Sequence, residues 1–181
     1  KLYTEKKIFG KKILFFTPNR TTIWRVKTLF DQEPETINWI NNFKNDQIKY
    51  WDIGANIGLY SIYSALAHKD IKVISFEPST SNLRVLSRNI SINNLSDKIS
   101  INQFALSDLV NVHETMNETK FEEGYSMSTF YYQTDFQGDK IKPKQKYKIF
   151  GTSIDYLLNN KILDFPNYVK IDVDGIEHKI L

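Results

Sequence analysis

Apolar and polar positions alternate in blocks along most of this chain, and the lengths of the blocks predict its elements. Four apolar segments have the length of buried strands: Ile48–Ile53, Ile71–Phe76, Lys98–Phe104 and Tyr168–Val173. Between the first two, Ile57–Ala67 is apolar nearly all round, which is typical of a helix buried on both sides. Another helix is predicted after Ser79, a residue type that caps helix N-termini. Alternating apolar strands and helices predict an α/β fold, a parallel sheet with helices on both faces.

The N-terminal residues follow a different pattern. Ile8–Phe16 and Thr22–Leu29 are rich in β-branched and aromatic residues and predict short strands around a turn. A helix is expected from Pro34, because proline is favoured in the first helical turn. We therefore expect residues 1–47 to form N-terminal strands and a helix that pack on a core domain of residues 48–181.

A polar, aromatic-rich insertion at residues 111–148 interrupts the strand–helix alternation and is too long for a plain connection. Its lysines alternate at positions Lys140, Lys142, Lys144, Lys146 and Lys148. In an extended strand all of them would share one face. We favour a solvated edge strand that lysines protect from aggregation. The alternative is a contact surface for a phosphorylated or acidic substrate.

Composition narrows the class of protein. Of 181 residues, 41% are hydrophobic and 25% charged, as in an average globular domain rather than a disordered or fibrous chain. No apolar run approaches the roughly 18 residues of a membrane span. The formal net charge is only +3 and arginines are few, so we expect no nucleic-acid partner. Cysteine is absent and no signal-peptide pattern opens the chain, which favours a reducing, cytoplasmic setting.

The strongest local signal is a glycine-containing turn where the first predicted parallel strand becomes a helix, Asp52-Ile53-Gly54-Ala55-Asn56-Ile57-Gly58. Its small residues let the backbone approach a ligand, and free amides at the helix start favour an anionic or strongly polar group. Glu77, followed by Pro78, ends the next strand, where a carboxylate can accept hydrogen bonds from both hydroxyls of a ribose. Together the two elements predict a nucleoside-containing cofactor in a Rossmann-like crevice.

The spacing of the glycines bears on which cofactor this is. A dinucleotide fingerprint needs G-x-G-x-x-G and a triphosphate loop needs Gly-Lys-Ser/Thr, and the turn has neither. S-adenosylmethionine carries a zwitterionic amino-acid end instead of phosphates. Asp52 and the backbone of Gly54 to Asn56 offer both a carboxylate and amides, which suits that zwitterion. An NAD-linked oxidoreductase is therefore a weaker alternative.

Further motifs follow in a fixed order: Glu33-Pro34-Glu35-Thr36 with Trp39-Ile40-Asn41, Leu59-Tyr60-Ser61 directly after the turn, Phe76-Glu77-Pro78, Phe104-Ala105-Leu106-Ser107-Asp108, Thr152-Ser153-Ile154-Asp155, and Val169-Lys170-Ile171-Asp172-Val173-Asp174-Gly175-Ile176-Glu177. In these motifs the chain, from about residue 30 to its last residue, resembles the FkbM-type S-adenosylmethionine-dependent methyltransferases. The resemblance implies a Rossmann-like class I methyltransferase fold with S-adenosylmethionine as cofactor. One departure is Asp174, where the family more often has glutamate.

The resemblance also implies roles for particular residues. The turn, with Asp52, Gly54, Ala55, Asn56 and Gly58, would hold the methionine end of the cofactor, and Glu77 with Pro78 the ribose. The adenine would be lined by Gln103, Phe104, Ala105 and Leu106. Asp172 would face the sulfonium or the acceptor and is the first candidate for a general base, with His178 second. The expected acceptor is a hydroxyl of a sugar, a glycan or a small natural product.

Two alternatives stay open beside this assignment. Asp172 and Asp174 share one side of a strand and could hold a magnesium ion, although we expect no metal, with one acid orienting the cofactor and the other capping a helix. The chain could also be a non-catalytic nucleotide-binding or assembly module that kept the fold.

By the same resemblance, three further strands would follow the fourth, so that we expect a sheet incomplete in its C-terminal half. The Tyr168–Val173 strand would then have an exposed edge. We expect the N-terminal strands, the insertion or another copy of the chain to cover it.

Overall fold

The chain begins with a β-hairpin. In the computed structural model, which describes residues 1–44, 46–132, 139–173, 175 and 177–180, strands β1 (Tyr3–Ile8) and β2 (Lys11–Phe16) pair antiparallel. They are joined by Phe9 and Gly10, whose φ angles of 48° and 76° are those of a two-residue hairpin turn. The prediction of one strand over Ile8–Phe16 is wrong at its start, because phenylalanine is not a residue that signals such a turn.

Two short helices follow the hairpin, α1 (Arg20–Lys27) and α2 (Pro34–Asn41). The predicted helix at Pro34 is confirmed, but the predicted strand over Thr22–Leu29 is wrong. Asn19 caps α1: its side chain accepts the Thr22 N–H at 2.8 Å, and its own N–H donates to Thr22 Oγ1 at 3.3 Å. This reciprocal cap satisfies helix N–H groups and outweighs the weak strand propensity of the β-branched residues.

The predicted strand–helix alternation begins at Ile48. Its first elements are β3 (Ile48–Ile53), α3 (Leu59–Ala67), β4 (Ile71–Phe76), α4 (Thr80–Ile92) and β5 (Ile99–Asn102). Strands β3 and β4 have the predicted bounds, and Ser79 caps α4 as expected, its side chain accepting from the Asn82 N–H. Strand β5 is shorter than predicted and leaves Phe104 outside it.

The insertion takes part in a separate sheet. The strands of this sheet are β6 (Ala105–Leu106), which precedes the insertion, β7 (Val112–Glu118), β8 (Ser128–Phe130) and β9 (Gln145–Thr152), in the order β6-β9-β7-β8. Lys146 and Lys148 lie exposed on β9, whereas the other alternating lysines precede it. β9 is an inner strand of this sheet, since β6 pairs with it at Gly151 and Thr152. The edge-strand interpretation therefore applies only to the part of β9 before Gly151.

Helix α5 (Ile154–Asn159) is followed by strand β10 (Tyr168–Ile171). Strand β10 completes the sheet of β3, β4 and β5, whose order is β10-β3-β4-β5 with all neighbours parallel. On one face Tyr50 and Val73 pack in the same core as α3 and α4. On the other, Trp51 packs in a cluster with Leu157 of α5. The predicted parallel sheet with helices on both faces is confirmed. The hydrophobic core of the first face also includes Ile8 and Phe15 of the hairpin.

Strand β10 lies at the edge of the parallel sheet. Within the described residues it pairs with β3, and neither the hairpin nor the insertion pairs with its outer side. The expectation that either of these would cover this edge is therefore wrong, since both form sheets of their own. Val169 remains 37% exposed. Coverage by another copy of the chain stays a prediction, as does the division of the chain at residue 48. Across the described ranges, no helix combines the length and the apolarity needed to cross a bilayer.

Candidate functional site

The turn between β3 and α3 is packed against both neighbouring strands. Gly54 has φ +80°, and a Cβ atom there would collide with the carbonyl oxygen of Asp172 just after β10. Its N–H and that of Ala55 both donate to the Phe76 carbonyl at the end of β4, at 3.0 Å. Gly58 has φ +84°, and a Cβ there would collide with the Leu86 side chain of α4. The glycines are therefore needed for both backbone conformation and close approach.

Glu77 follows β4 and is buried beside this turn. Its Oε2 accepts the Asn56 N–H at 2.7 Å, and its Oε1 accepts the Ser79 N–H at 2.8 Å. Burial raises the pKa of Glu77 to about 7, and the two backbone hydrogen bonds act in the opposite direction. Each carboxylate oxygen can accept more than one hydrogen bond, so that the group can also bind hydroxyl donors.

Glu77 lines a cavity of about 280 Å³ between the two sheets. Gly54, Asn56 and Asp172 also line this cavity. Its apolar walls come from the segments after β4 and β5 and from the insertion: Phe76, Pro78, Phe104, Ala105, Leu106, Met116 and Phe130. The cavity could accommodate a ring between its apolar walls, and it could also accommodate a polar group beside Glu77.

Residues 119–127, which we call the strap, pass beside this cavity and contribute Tyr125 and Ser126 to its lining. Asn82 of α4 fastens the strap twice: its Oδ1 accepts the Gly124 N–H at 2.7 Å, and its Nδ2 donates to the Tyr125 carbonyl at 3.2 Å. The Asn56 side chain donates to the same carbonyl at 3.2 Å. The Nε–H of Arg25 in α1 donates to the Gly124 carbonyl. Both the N-terminal helix and the parallel-sheet domain therefore hold the strap.

A second, smaller cavity of about 90 Å³ adjoins the first. Both are lined by Arg25, Gly54, Asn56 and Asp172, so these four residues stand at their junction. The rest of its lining is contributed by α1, the segment between α1 and α2, the glycine turn, α3 and β10, and includes Trp24, Gln32, Glu33, Ala55, Tyr60 and Lys170. This cavity is thus rich in charged and aromatic groups, in contrast to the apolar walls of the first.

Lys170 is a buried cation beside this second cavity. Its Nζ lies 2.9 Å from Asp172 Oδ2 and 4.9 Å from the centre of the Tyr60 ring, and its side chain is only 10% exposed. Burial acts to lower the pKa of Lys170, but the charges of Asp52 and Asp172 outweigh it and raise the pKa. The ammonium therefore stays charged and compensates two carboxylates.

Asp52 lies on the face of β3 that α3 covers, and it is paired with Lys170 of β10 in the register of the sheet. Its Oδ2 accepts a 2.5 Å hydrogen bond from the Ser61 hydroxyl of α3. Burial raises the pKa of Asp52, against the effects of Lys170 and Ser61. This carboxylate interacts with Lys170 and Ser61 in the interior of the protein and does not line either cavity.

The structure brings most of the predicted site residues together. Gly54, Asn56 and Asp172 line both cavities, Ala55 the second, and Glu77, Pro78, Phe104, Ala105 and Leu106 the first. Asp52, Gly58 and Gln103 line neither, Gly58 because it packs on α4 and Gln103 because it is exposed. The binding roles of all these residues remain predictions.

The remaining candidates for chemistry are His178, Asp174 and a metal site. His178 is exposed in a short 3₁₀ helix (Glu177–Lys179) and lines neither cavity. Asp174 lies outside the described residues. Among the residues that are described, no three histidine, aspartate or glutamate side chains are grouped as metal ligands would be.

Several cavity residues were not predicted from the sequence. Arg25, Asn82, Met116, Tyr125 and Phe130 come from the N-terminal helix, the first turn of α4 and the insertion. None belongs to a short motif with the glycine turn, and each reaches the site only through contacts between distant segments.

The strand order and the glycine turn define a Rossmann-like α/β domain whose candidate site lies at the carboxyl ends of its parallel strands. The family model described as the methyltransferase FkbM domain matches residues 52–181, most of the chain. The chain therefore belongs to the FkbM methyltransferase domain family, as its motifs predict.

Individual relatives are more distant. The methyltransferase sdnD of Sordaria araneosa is 39% identical over 56 residues, which are 31% of this chain and 22% of that protein. A SAM-dependent methyltransferase from Agrobacterium tumefaciens has a TM-score of 0.43 at 17% identity, covering 57% of this chain and 32% of its own. TYW2 of M. jannaschii, in complex with AdoMet, has a TM-score of 0.43 at 19% identity and 65% coverage of both chains. The chain thus spans about a fifth of sdnD and a third of the Agrobacterium protein.

Proposed function

We propose that this protein is an S-adenosylmethionine-dependent methyltransferase that transfers the methyl group to a hydroxyl of a sugar, a glycan or a small natural product. The observation that carries the proposal is the position of Glu77, a buried carboxylate on the wall of a cavity that is lined both by apolar residues and by the glycine turn. Membership of the FkbM methyltransferase domain family supports the same conclusion.

The cavity residues fit the parts of this cofactor. The apolar walls around Phe104 and Leu106 suit an adenine ring, and Glu77 has free acceptor capacity for ribose hydroxyls. Asn56 Oδ1 is buried without a hydrogen-bond partner in the described part of the chain, and Asn56 lines both cavities, which suits a cationic donor such as an ammonium. At Gly54 any side chain would fill the space beside Asp172.

When bound, S-adenosylmethionine supplies an electrophilic methyl group on a sulfonium. The protein's own contribution is then mainly alignment and exclusion of water. Tyr125 and Ser126 of the strap form part of the wall of the first cavity, and Asp172 at the junction of the cavities is the candidate to accept the proton of the acceptor hydroxyl. Lys170, 2.9 Å from Asp172, holds that carboxylate in place.

The cofactor assignment is tested by calorimetric titration with S-adenosylhomocysteine and, separately, NADH. We expect micromolar binding of S-adenosylhomocysteine, strongly weakened by Glu77→Ala because the carboxylate that would accept the ribose hydroxyls is lost. Glu114→Ala is the control, since Glu114 does not line either cavity. Binding of NADH with no binding of S-adenosylhomocysteine would overturn the assignment.

The reaction is tested with S-adenosylmethionine labelled in its methyl group and a panel of sugars, nucleotide sugars, phenols and amines. Label on a hydroxyl-bearing compound, reduced by Asp172→Asn when the cofactor is saturating, is the expected outcome. Label on amines alone would exclude hydroxyl methylation. Binding without any transfer across the panel would favour a non-catalytic binding module.

A further inference from the structure

Arg25 occupies a position that the FkbM family match, at residues 52–181, does not include. It lies in the last turn of α1, is partly buried, and lines both cavities together with Gly54, Asn56 and Asp172. A guanidinium at the junction of two cavities is unusual, because burial of a charge is unfavourable unless the charge is paired. This position therefore calls for a partner.

The protein holds this side chain without neutralising it. Its Nε–H donates to the Gly124 carbonyl of the strap, and a guanidinium has four further N–H donors. The ion pairs of the described residues do not include Arg25. Lys170, the other cation on the second cavity, is already paired with Asp172. Arg25 is thus oriented by the strap and left to attract an anion.

The charges around the second cavity favour a zwitterion over a simple anion. Glu33 and Asp172 stand on its wall beside Arg25, and the unpartnered Asn56 Oδ1 adds an acceptor near the junction. A ligand that carries a carboxylate and an ammonium on one carbon would meet a donor for its carboxylate, Arg25, and acceptors for its ammonium here. A free phosphate or a dianion would be repelled by the two carboxylates.

We propose that Arg25 binds the carboxylate at the amino-acid end of the cofactor, so that the N-terminal helix forms part of the cofactor site and the second cavity receives this end. The inference rests on the proposed function. Guanidinium and carboxylate form two parallel N–H···O bonds, which a lysine ammonium cannot reproduce. Because Arg25 also holds Gly124, the same residue joins the ligand to the strap.

The test compares two ligands that differ in one group. Calorimetric titrations use S-adenosylhomocysteine and its decarboxylated analogue, which keeps the ammonium and lacks only the carboxylate. We expect Arg25→Gln to weaken S-adenosylhomocysteine binding by about 10- to 100-fold, as for a lost charge-assisted pair. Affinity for the decarboxylated analogue should change less than about twofold, because Arg25 has no carboxylate to bind there. Arg25→Lys should fall between Arg25→Gln and the unchanged protein for S-adenosylhomocysteine.

Arg84→Gln is the matched control, since Arg84 also anchors the strap, through Glu123 at 2.7 Å, but lines neither cavity. We expect it to bind both ligands like the unchanged protein. An equal loss of both ligands in Arg25→Gln, or no loss of either, would overturn the inference while leaving the proposed function intact. Failure of the unchanged protein to bind either ligand would instead count against the proposed function. If Arg25→Gln does not fold, as judged by its thermal transition, the affinities for the two ligands are compared in Arg25→Lys instead.

Discussion

The backbone N–H of Asn56 donates a 2.7 Å hydrogen bond to the Glu77 carboxylate, which joins the glycine turn after β3 to the end of β4. The bond keeps a buried carboxylate beside a turn whose residues have positive φ angles: 80° at Gly54, 51° at Asn56 and 84° at Gly58. Two neighbouring strand ends are thereby fixed relative to each other before any ligand arrives. Such a preformed arrangement reduces the entropy lost on binding.

The raised pKa of Glu77 makes stability depend on pH. Because the folded pKa is about 7 and the ordinary value 4.5, the folded protein holds a proton that the unfolded chain releases between these values. The free energy of unfolding should therefore fall as the pH rises from about 4.5 to 7, by an amount of order 3 kcal/mol at most. Glu77→Gln should flatten this dependence in urea titrations at pH 5 and pH 8.

Glu122 provides a control of opposite sign. Hydrogen bonding to Lys120 lowers the pKa of Glu122, so that its stabilisation is present above the ordinary pKa and is lost as the pH falls. Glu122→Gln should leave the decrease in stability between pH 5 and pH 8 in place. An unchanged pH dependence in Glu77→Gln would show that another group, such as Asp52, carries the effect.

Gly54 should tolerate no side chain. Gly54→Ala introduces both strain at a positive φ and a collision with the Asp172 carbonyl, so we expect a loss of roughly 3 kcal/mol or more. Gly10→Ala is the matched control, because Gly10 has φ +76° with open space around its Cβ position. There we expect only the conformational cost of about 1 kcal/mol. Equal losses in urea unfolding would mean that the contact with Asp172 is not important.

Among the lysines of the parallel sheet, substitution of Lys170 should cause the largest loss of stability. Lys170→Met leaves Asp52 and Asp172 without their buried cation, and we expect a loss of about 3–5 kcal/mol at pH 7. The loss should shrink at pH 4, because burial raises the pKa of Asp52 and protonation of Asp52 removes its uncompensated charge. Lys49→Met, which breaks an exposed pair with Asp164, should cost less than about 1 kcal/mol. A pH-independent loss in Lys170→Met would indicate a packing defect instead.

The strap should depend on Asn82 more than on its surface ion pair. Asn82→Ala removes the acceptor of the Gly124 N–H and a donor to the Tyr125 carbonyl, both at the cavity. Amide hydrogens of residues 119–127 should then exchange about 10- to 100-fold faster, as for a loss of 1–3 kcal/mol. Arg84→Ala breaks an exposed pair with Glu123 and should change the exchange less than about fivefold. Similar exchange in both variants would contradict this view of the strap.

The parallel sheet was predictable because its strands are covered on both faces. Tyr50 and Trp51 are neighbours in β3 that point to opposite faces, and each is at most 1% exposed. Such strands are continuous apolar runs whose ends are easy to locate. In the N-terminal region, by contrast, the helix α1 depends on the cap formed by Asn19 and Thr22, a local hydrogen bond that β-branched composition conceals.

The sequence by itself determined the glycine turn and the acid that follows the next strand, since a positive φ requires glycine locally and strand order places both at one edge of the sheet. The motifs of the sequence also predicted the FkbM methyltransferase family. Only the tertiary structure placed Arg25 and Asn82 at the cavities, enclosed Asp52 beside Lys170, and brought the strap into the wall of the site. Arg25 and Gly124 are 99 residues apart, and Asn82 and Gly124 are 42 apart. Contacts over such separations form only when distant segments pack together, and they leave no periodic pattern along the chain.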